Sequence, residues 1–474
     1  MKQNFNRTKI LLYSLVFFSG FANLATEIIG PRLVASLFGS TTIIWAIIIS
    51  TTLTGISIGY YLGGRVPQDK ALSYFPRILI LNALWLLALS WFIWLIPHVF
   101  ASVGYVAIGV TALIAFLPPA ALFSATSPMA ISLLAAEREK ETIPKEVGNV
   151  YALGTLGSVI GALTAAFLLV PYAGLSTSLR AFAMLAILYA LVFLSPRMRL
   201  AGAAVLAAGL IVPQPAYLWG EDLGLRLLEQ REGLYQTIRV FTDDSTFVQM
   251  NLGPTFHAQM DLNTKEPRFG YAVKMIELAG DVRDKRVLIL GGAGHTIARA
   301  LEKRGASVVE VEIDPFVVEL SDRHFGAVQA QIEVTDGRAY LEQYAGAGFD
   351  LILVDAFDSL ASVPPQLVTR EFFQALERAL KPDGRMIYNF IGVPEGAKSN
   401  SFRAVSATIG SVFPNVLATH VAGEQLMNVV FIASRSAMRD LDFPPAPQGG
   451  TVLTDDLNPS EIYFEQARAG YYFH

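Results

Sequence analysis

Residues 286–296, RVLILGGAGHT, decide the fold of the C-terminal half of the chain. An apolar β-type run ends at Leu290 and passes directly into a glycine-rich turn, after which the pattern is that of a helix. Glycines at such a turn let the backbone approach a ligand closely, and the N-terminus of the following helix favours electronegative groups. The order of strand, glycine turn and helix predicts the first unit of an open α/β sheet.

The predicted strands that follow this turn also end in carboxylates. Residues 307–312, SVVEVE, end in Glu312 about 20 residues after the turn, which is the spacing of an acid that accepts hydrogen bonds from both ribose hydroxyls. The ligand crevice of an open α/β sheet lies outside the carboxyl ends of its strands. We therefore expect four acids to converge on one crevice: Glu312, Asp336, Asp355 and Asp358.

The glycine turn differs from that of a dinucleotide-binding fold. Gly292 and Gly294 have the G-x-G spacing, but Ile297 stands where the third glycine of G-x-G-x-x-G would follow. The turn, with Gly291 as its first residue, therefore fits a nucleoside without a pyrophosphate. Asp314 precedes a proline, a pattern typical of a helix N-cap.

The N-terminal half has the composition of a membrane protein. The whole chain is 53% hydrophobic and only 16% charged, with a mean hydropathy of +0.44, whereas an ordinary soluble protein carries about 25% charged residues. Apolar runs of roughly 20 residues suit bilayer spans. The runs predicted to be membrane helices are 10–38, 42–64, 74–96, 104–134, 148–172, 176–195 and 200–219.

Basic residues of the N-terminal half cluster in alternate loops. Lys and Arg precede the first run and lie between the second and third, the fourth and fifth, and the sixth and seventh, while the other loops carry none. By the positive-inside bias, the N-terminus faces the cytoplasm of a multi-pass protein of the cell (inner) membrane. Seven full spans would put the soluble half outside. We favour a cytoplasmic soluble half, with the seventh run in the interface or another run turning back, and export is the alternative.

Two features of the predicted helices invite a functional interpretation. Glu27 lies inside the first run, five residues before Arg32. An intramembrane carboxylate is costly and often functional, and the alternative is a structural ion pair or polar contact. Glycines recur at near-helical spacing in the second and fifth runs, which predicts close helix packing, with a substrate path as the alternative. They are Gly55, Gly59, Gly63, Gly64, Gly154, Gly157 and Gly161.

The soluble half begins with two short β-type segments, 236–241 and 246–250, whose alternation predicts a small antiparallel module. From residue 285 strands alternate with helices, which predicts a parallel doubly wound sheet. The predicted domains are a helical membrane domain over 1–219, a β-rich module over 220–284 and a Rossmann-like α/β domain over 285–474. Acidic residues outnumber basic ones after residue 219, which argues against nucleic acid as a partner. The absence of cysteine excludes disulfides and a cysteine nucleophile.

With these motifs the chain resembles the spermidine synthase (polyamine aminopropyltransferase) family, and more closely its membrane-fused branch. The resemblance covers about residues 230–434 and implies an S-adenosylmethionine-methyltransferase-type fold. The segments that carry it are Tyr235-Gln236, residues 291–294 (GGAG), 312–314 (EID), Asp336-Gly337, 354–358 (VDAFD), 364–373 (PPQLVTREFF) and 380–384 (LKPDG). Gly20, Phe21 and Glu27 in the first run are similar to the membrane-fused branch.

The resemblance implies transfer of an aminopropyl group from decarboxylated S-adenosylmethionine to an amine such as putrescine. A sulfonium is already a good leaving group, so neither a metal nor a permanently bound cofactor is expected. The acceptor ammonium must lose a proton before it can attack. The resemblance implies that Asp355 accepts this proton as the catalytic residue. The expected donor-binding residues are Gly291, Gly292, Gly294, Glu312, Asp336 and Gly337. The expected acceptor-site residues are Gln236, His257, Tyr271 and Asp358.

Two departures from the family pattern keep other functions open. Ala293-Gly294-His295 replaces the stretch that carries the family's loop Asp, and Tyr271 alone remains of its Tyr-His-Glu motif. The alternatives are a methyltransferase that uses intact S-adenosylmethionine, or a non-catalytic protein with transporter-like helices and a polyamine- or nucleoside-sensing domain. His295 is interpreted as a cosubstrate contact or a solvated loop side chain. The expected partners are polyamine and adenosyl-sulfonium substrates, the lipid bilayer and a second copy of the chain in a homodimer.

Overall fold

The computed structural model describes residues 2–38, 42–92, 105–135, 143–173, 175–194, 199, 224–233, 235–253, 255–346, 348–357, 363–419 and 425–468. The chain divides into two compact units, Met1–Tyr217 and Leu218–Tyr472. They are called the helical unit and the α/β unit below, and each is described by itself.

The helical unit is built from apolar helices. In chain order these are α1 (Lys2–Phe38), α2 (Thr42–Gly63), α3 (Gln68–Phe92), α4 (Tyr105–Ala135), α5 (Ile143–Thr164), which continues as π-helical turns through Ala165–Ala173, and α6 (Leu175–Phe193). Among the described residues, five helices are long and apolar enough to cross a membrane, and α6 contributes a shorter apolar stretch, Thr177–Phe193. The first six predicted runs correspond to these helices, and the seventh, 200–219, lies outside the described residues.

Rows of glycine bring α2 close to α4 and α5 close to α1. A Cβ at Gly59 would lie 2.3 Å from the carbonyl oxygen of Ala121, and one at Gly161 would lie 2.2 Å from that of Phe21. Any side chain at these positions would force the helices apart, so the predicted close packing is confirmed for them. Gly64 and Gly154 are exceptions, because the nearest atom of another helix lies 4.0 Å from the Cβ position of Gly64 and 3.4 Å, an ordinary contact, from that of Gly154.

Helix α4 contains three prolines, at positions 118, 119 and 128. A proline removes the N–H that the carbonyl four residues earlier would accept. For Pro118 this carbonyl belongs to Ile114, and it accepts instead from Nε1 of Trp85 at 3.1 Å. Nδ2 of Asn82 donates to the Pro119 carbonyl at 3.3 Å. Helix α3 thus supplies donors to its neighbour, as expected for prolines within a packed apolar bundle.

The α/β unit begins with a four-stranded antiparallel sheet in the order β1-β2-β3-β4. Its strands are β1 (Arg226–Glu232), β2 (Thr237–Thr242), β3 (Phe247–Leu252) and β4 (Thr255–Asp261). Strands β2 and β3 therefore each begin one residue later than the segments predicted over 236–241 and 246–250. Ile238 and Met250 on the buried face share a hydrophobic core with Val317 and Leu320 of the helix Pro315–His324.

The second sheet has seven strands in the order β10-β11-β9-β8-β5-β6-β7. They are β5 (Arg286–Leu290), β6 (Ser307–Glu312), β7 (Gln331–Val334), β8 (Phe349–Val354), β9 (Leu380–Gly392), β10 (Asn415–Thr419) and β11 (Met427–Ser434). Strands β5 to β9 pair in parallel as predicted. The last two strands add an antiparallel edge, so the sheet is mixed.

Helices and short 3-10 turns connect these strands. The helices are α7 (Gly270–Ala279), α8 (Thr296–Lys303), α9 (Pro315–His324), α10 (Gly337–Gln343), α11 (Arg370–Ala379), α12 (Asn400–Gly410) and α13 (Ser460–Arg468). One core of the unit is built around Phe373 and Tyr388 and another around Met275 and Leu301. The chain runs from β5 to β6 and β7 on one side and then returns to β8 and β9 on the other. This switch of direction is where a doubly wound sheet opens its ligand crevice, and the predicted fold class is confirmed.

Candidate active site

Sheet register brings two of the predicted acids to the same edge. Leu290, the last residue of β5, pairs with Val311 on one side and with Val354 on the other. Glu312 is the last residue of β6 and Asp355 directly follows β8, so both flank the glycine turn that follows Leu290. This arrangement exists because β5 lies between β6 and β8, although β8 comes much later in the sequence.

The glycine turn passes these acids at close range. Gly291 has a φ of +99°, and a Cβ there would lie 2.2 Å from the carbonyl oxygen of Asp355. A Cβ at Gly292 would lie 2.3 Å from Oε1 of Glu310, and Gly294 has a φ of +69°. The protein itself therefore requires glycine at these positions. The contacts of these glycines with a ligand stay a prediction.

Glu312 is buried at 8% exposure and is held by two backbone donors. Its Oε2 accepts from the amide of Gly292 and its Oε1 from the amide of Asp314, both at 3.0 Å. Burial raises the pKa of Glu312 to about 6, although both hydrogen bonds lower it. Each carboxylate oxygen keeps a further lone pair, so Glu312 can still accept from two ligand hydroxyls. Asp314 is the N-cap of α9 as predicted, because its Oδ1 accepts from the amide of Phe316.

Asp336 and Gly337 lie at the same edge, one strand further out. Oδ1 of Asp336 accepts from the amide of Ala339 at 2.9 Å and caps α10. A Cβ at Gly337 would lie 3.5 Å from the side chain of Leu290 at the end of β5. The second oxygen of Asp336 leaves an acceptor for a donor group such as an adenine amino group.

Asp355 belongs to a partly buried hydrogen-bond network. Nδ2 of Asn389, on β9, donates to Oδ1 of Asp355 at 2.8 Å. The hydroxyl of Tyr271, on α7, lies beside the same carboxyl. Burial raises the pKa of Asp355 to about 6, while Asn389 and Tyr271 lower it. A carboxyl with this pKa is ionised at neutral pH and can accept a proton.

Asn389 was missed by the sequence reasoning. It is 2% exposed, and its Oδ1 has no hydrogen-bond partner among the described residues. A buried polar atom without a partner is costly, and it is often explained by a ligand or water that completes the site. The available signal was one polar residue inside the apolar stretch MIYNFI of β9, residues 386–391.

Tyr271 connects Asp355 to His257. Its hydroxyl lies 2.7 Å from the backbone carbonyl oxygen of His257. A tyrosine has one proton to donate, and here it goes to the His257 carbonyl, so Asn389 is the hydrogen-bond donor of the Asp355 carboxyl. Burial and the charge of Asp355 raise the pKa of Tyr271 well above its usual value. Burial lowers the pKa of His257 to about 4, so its imidazole is neutral at neutral pH.

The remaining predicted acceptor-site residues are Gln236 and Asp358. The carbonyl of Gln236 accepts from the amide of Gly233 at 2.9 Å. A Cβ at Gly233 would lie 2.3 Å from Oδ2 of Asp314, so this turn lies against the loop that follows Glu312. The Gln236 side chain makes no hydrogen bond to a described residue. Asp358 lies outside the described residues.

His295 corrects an expectation, because it is not a solvated loop side chain. Its Nδ1 lies 2.5 Å from Oε1 of Glu310, and the side chains are 0% and 1% exposed. Burial lowers the pKa of His295, but the hydrogen bond and charge of Glu310 raise it above its usual value. Burial raises the pKa of Glu310. The His295 side chain reaches Glu310 beneath the glycine turn, and nothing in the local sequence shows that Glu310 is its partner.

The fold and this site define an α/β domain of the Rossmann-like, methyltransferase-type class, with a partly buried carboxyl beside the glycine turn. The described residues contain no group of three or more His, Cys, Asp or Glu side chains placed to hold a metal ion. Residues 270–437 match the family described as spermine/spermidine synthase domain. This match confirms the resemblance inferred from the sequence. The membrane-fused branch stays a prediction.

Several characterised proteins are similar to the chain. It is 28% identical over 250 residues to the polyamine aminopropyltransferase of Oceanobacillus iheyensis, a match that covers 50% of this chain and 48% of that protein. The chain thus spans about half the length of this relative. It is 24% identical over 397 residues to polyamine aminopropyltransferase 2 of Aquifex aeolicus, covering 78% and 77%. A probable spermidine synthase structure from Corynebacterium glutamicum matches with a TM-score of 0.40 and 22% identity, covering 44% of this chain and 81% of that one.

Proposed function

We propose that the chain is a membrane-attached aminopropyltransferase, which moves the aminopropyl group of decarboxylated S-adenosylmethionine to a small polyamine such as putrescine. The observation that carries this proposal is the partly buried Asp355 carboxyl beside the glycine turn, which accepts a hydrogen bond from Asn389 and lies next to Tyr271. The printed names of the curated relatives agree with this transfer.

The proposed reaction needs only one proton acceptor. The acceptor amine arrives as an ammonium, and Asp355, ionised above about pH 6, takes one of its protons. The freed nitrogen lone pair attacks the methylene carbon beside the sulfonium sulfur, so that a C–N bond forms while the C–S bond breaks and its electron pair stays on sulfur. The products are the elongated amine, protonated at its new secondary nitrogen, and neutral methylthioadenosine. Asp355 then returns its proton to solvent.

The donor nucleoside is proposed to lie along the edge formed by β5, β6 and β7. Glu312 is a carboxylate at neutral pH, and it would accept from the ribose hydroxyls with the lone pairs that the backbone amides leave unused. Asp336 would take the adenine amino group with its second oxygen. The glycine turn would lie against the adenosyl-sulfonium portion because no side chain projects from Gly291 or Gly292.

The acceptor amine is proposed to lie between Asp355 and the β1–β4 sheet. Gln236, His257, Tyr271 and Asp358 are the proposed acceptor-site residues. Oδ1 of Asn389, without a partner among the described residues, can accept an N–H of the amine next to Asp355. Acidic and amide acceptors in this position suit a cationic substrate, since each charge-assisted hydrogen bond is stronger than a neutral one.

The test is a direct assay of the full chain in lipid nanodiscs. With decarboxylated S-adenosylmethionine and putrescine, mass spectrometry should detect spermidine and methylthioadenosine in equal amounts. The Asp355→Asn variant should form both products at least about 100-fold more slowly. Absence of both products from the unaltered chain, with putrescine and with longer polyamines, would contradict the proposal.

Methyl transfer from intact S-adenosylmethionine is the second candidate, and one observation favours it. The turn at 291–295 carries no acid, and its His295 is turned away into a pair with Glu310. No carboxylate of the turn therefore faces the amine of an aminopropyl donor. Calorimetric titration separates the two candidate functions. Tighter binding of intact than of decarboxylated S-adenosylmethionine would favour methyl transfer over aminopropyl transfer as the function of the chain.

We place the helical unit in the inner membrane with the N-terminus and the α/β unit in the cytoplasm. The stretch Thr177–Phe193 of α6 has 17 residues, about 26 Å of helix against a hydrocarbon core of about 30 Å. If α6 crosses, the sixth crossing returns the chain to the side of its N-terminus, where the donor is made. The match to the Aquifex aeolicus protein covers more of the chain than the α/β unit contains, so the likeness extends into the helical unit.

The chain has no cysteine, so single introduced cysteines report this topology cleanly. In intact cells a membrane-impermeant maleimide should label Tyr172→Cys, in the turn that follows α5. It should label Asp69→Cys and Glu395→Cys only after permeabilisation. Labelling of Glu395→Cys in intact cells would place the α/β unit outside.

A further inference from the structure

The helical unit contains a cavity of about 150 Å³ with a mixed polar and apolar lining. Residues of α1, α2, α4 and α5 line it, and Glu27 of α1 supplies its one carboxylate. No Lys or Arg is among the described lining residues. A cavity with a single acid and no base among apolar helices carries net negative charge whenever that acid is ionised.

Glu27 differs from the other acid of these helices, Glu146. Glu146 is 4% exposed, and it pairs with Nζ of Lys9 at 2.8 Å and accepts from the hydroxyl of Tyr13. Glu27 makes no ion pair or hydrogen bond with a described residue, and the side chain of Arg32, its candidate partner, lies outside the described side chains. An ionisable group inside an apolar bundle is expensive to ionise alone, so such groups are paired or serve a ligand.

The rest of the lining offers acceptors and aromatic rings. The hydroxyls of Ser127 and Thr155 make no hydrogen bond to a described residue, and both line the cavity. Tyr60 and Tyr151 also line it, and the faces of tyrosine rings attract cations. A primary ammonium has three N–H donors in a compact head, which matches one carboxylate and two hydroxyl acceptors.

We propose that the helical unit holds a binding site for a primary alkylammonium cation, with Glu27 as its counter-charge and Ser127 and Thr155 as further acceptors. The apolar part of the lining suits a short methylene chain, whereas a hard metal cation takes six or more oxygen ligands and leaves apolar walls without a role. The site lies wholly within the helical unit and does not depend on the chemistry proposed for the α/β unit.

The test uses N,N′-dicyclohexylcarbodiimide, which modifies protonated carboxyls in apolar surroundings. The full chain in lipid nanodiscs is treated with the reagent, and the peptides that contain Glu27 and Glu146 are quantified by mass spectrometry. Butylammonium chloride should slow modification of Glu27 at least fivefold, because the bound cation keeps the carboxylate ionised and covered. Glu146 is the internal control, and its modification should not change. Equal concentrations of 1-butanol and of sodium chloride should have no effect on either peptide.

Three outcomes would overturn the proposal: no protection by butylammonium, equal protection by sodium, or equal slowing at Glu146. A second measurement applies if the reagent does not reach Glu27. Saturable binding of radiolabelled butylammonium to the Asp355→Asn chain should weaken at least tenfold in Glu27→Gln and return in part in Glu27→Asp. Unchanged binding in Glu27→Gln would place the cation elsewhere. Because Asp355 is already replaced, the result is independent of aminopropyl transfer.

Discussion

Asn389 and Asp355 are joined across the β8–β9 strand pair, one residue beyond the paired Val354 and Tyr388. The amide nitrogen of Asn389 donates to the Asp355 carboxylate at 2.8 Å and thereby stabilises its ionised form. Burial acts in the opposite direction and raises the Asp355 pKa to about 6. The balance of these two effects decides at what pH the carboxyl can take a proton from an amine.

Removing the amide in Asn389→Leu should therefore raise the Asp355 pKa further. The acidic limb of the rate profile should move to higher pH, and kcat at pH 7 should fall on the order of tenfold. Tyr388→Phe in the same strand is the control, since its hydroxyl donates to the carbonyl of Leu367 at 3.2 Å. Steady-state kinetics from pH 5 to 9 would show the shift. An unmoved limb in Asn389→Leu would mean that Asn389 does not tune Asp355.

The unaltered chain should lose activity as the pH falls through about 6. The pKa of Asp355 is raised to about 6, so below this pH the carboxyl is already protonated and cannot accept the amine proton. The expected kcat profile rises with pH through this region and then levels off. On the plateau above pH 7, Asp355→Asn should reduce kcat by roughly 10²- to 10⁴-fold and leave nucleoside affinity nearly unchanged.

The control for Asp355→Asn is Asp350→Asn in the same strand. Asp350 lies in β8 away from the glycine turn, where it accepts from Lys381 at 2.7 Å. This variant should keep the kcat profile of the unaltered chain. Near-native turnover by Asp355→Asn would remove Asp355 from the proposed reaction.

Glu312→Gln should weaken nucleoside binding roughly 10- to 100-fold, because a charged hydrogen-bond partner is worth about 1.5–3 kcal/mol. The amide of the new side chain would also direct an N–H group towards Gly292 or Asp314, whose own amides are donors. Calorimetric titration with decarboxylated S-adenosylmethionine measures the loss. The Glu333→Gln variant, on the neighbouring strand β7, should bind the nucleoside with unchanged affinity. Equal weakening in both variants would show that Glu312 has no specific role in nucleoside binding.

The buried pair of His295 and Glu310 should stabilise the α/β unit, because each side chain provides the hydrogen-bond partner that the other needs when it is removed from water. His295→Leu leaves a buried carboxylate without its partner, and should destabilise the α/β unit by about 3 kcal/mol. The double variant His295→Leu/Glu310→Leu should be more stable than the sum of the two single losses predicts, by about 1 kcal/mol or more. Denaturant unfolding followed by circular dichroism measures all three variants. Additive losses would show that the two side chains do not act as a pair.

Features that depend on neighbouring residues in the sequence could be predicted. Strands β2, β3 and β5 to β8, the glycine turn and the cap at Asp314 follow from local patterns, and so does the glycine row of α2 that approaches α4. The likeness of residues 270–437 to the spermine/spermidine synthase domain could be inferred from the motifs at strand ends. The antiparallel edge of β10 and β11 was not predicted, because short apolar strands do not reveal the direction in which they pair.

The sequence by itself determined which residues carry charge at the ends of strands, because parallel strands end at the same edge of a sheet and each end is marked locally by an acid or a glycine. Only the tertiary structure decided the partners of those charges: Asn389 and Tyr271 for Asp355, and Glu310 for His295. The physical reason is that burial and hydrogen bonding join atoms whose residues are far apart in the chain. The pKa of a carboxyl is set by those neighbours and by its loss of water, and a linear pattern records neither.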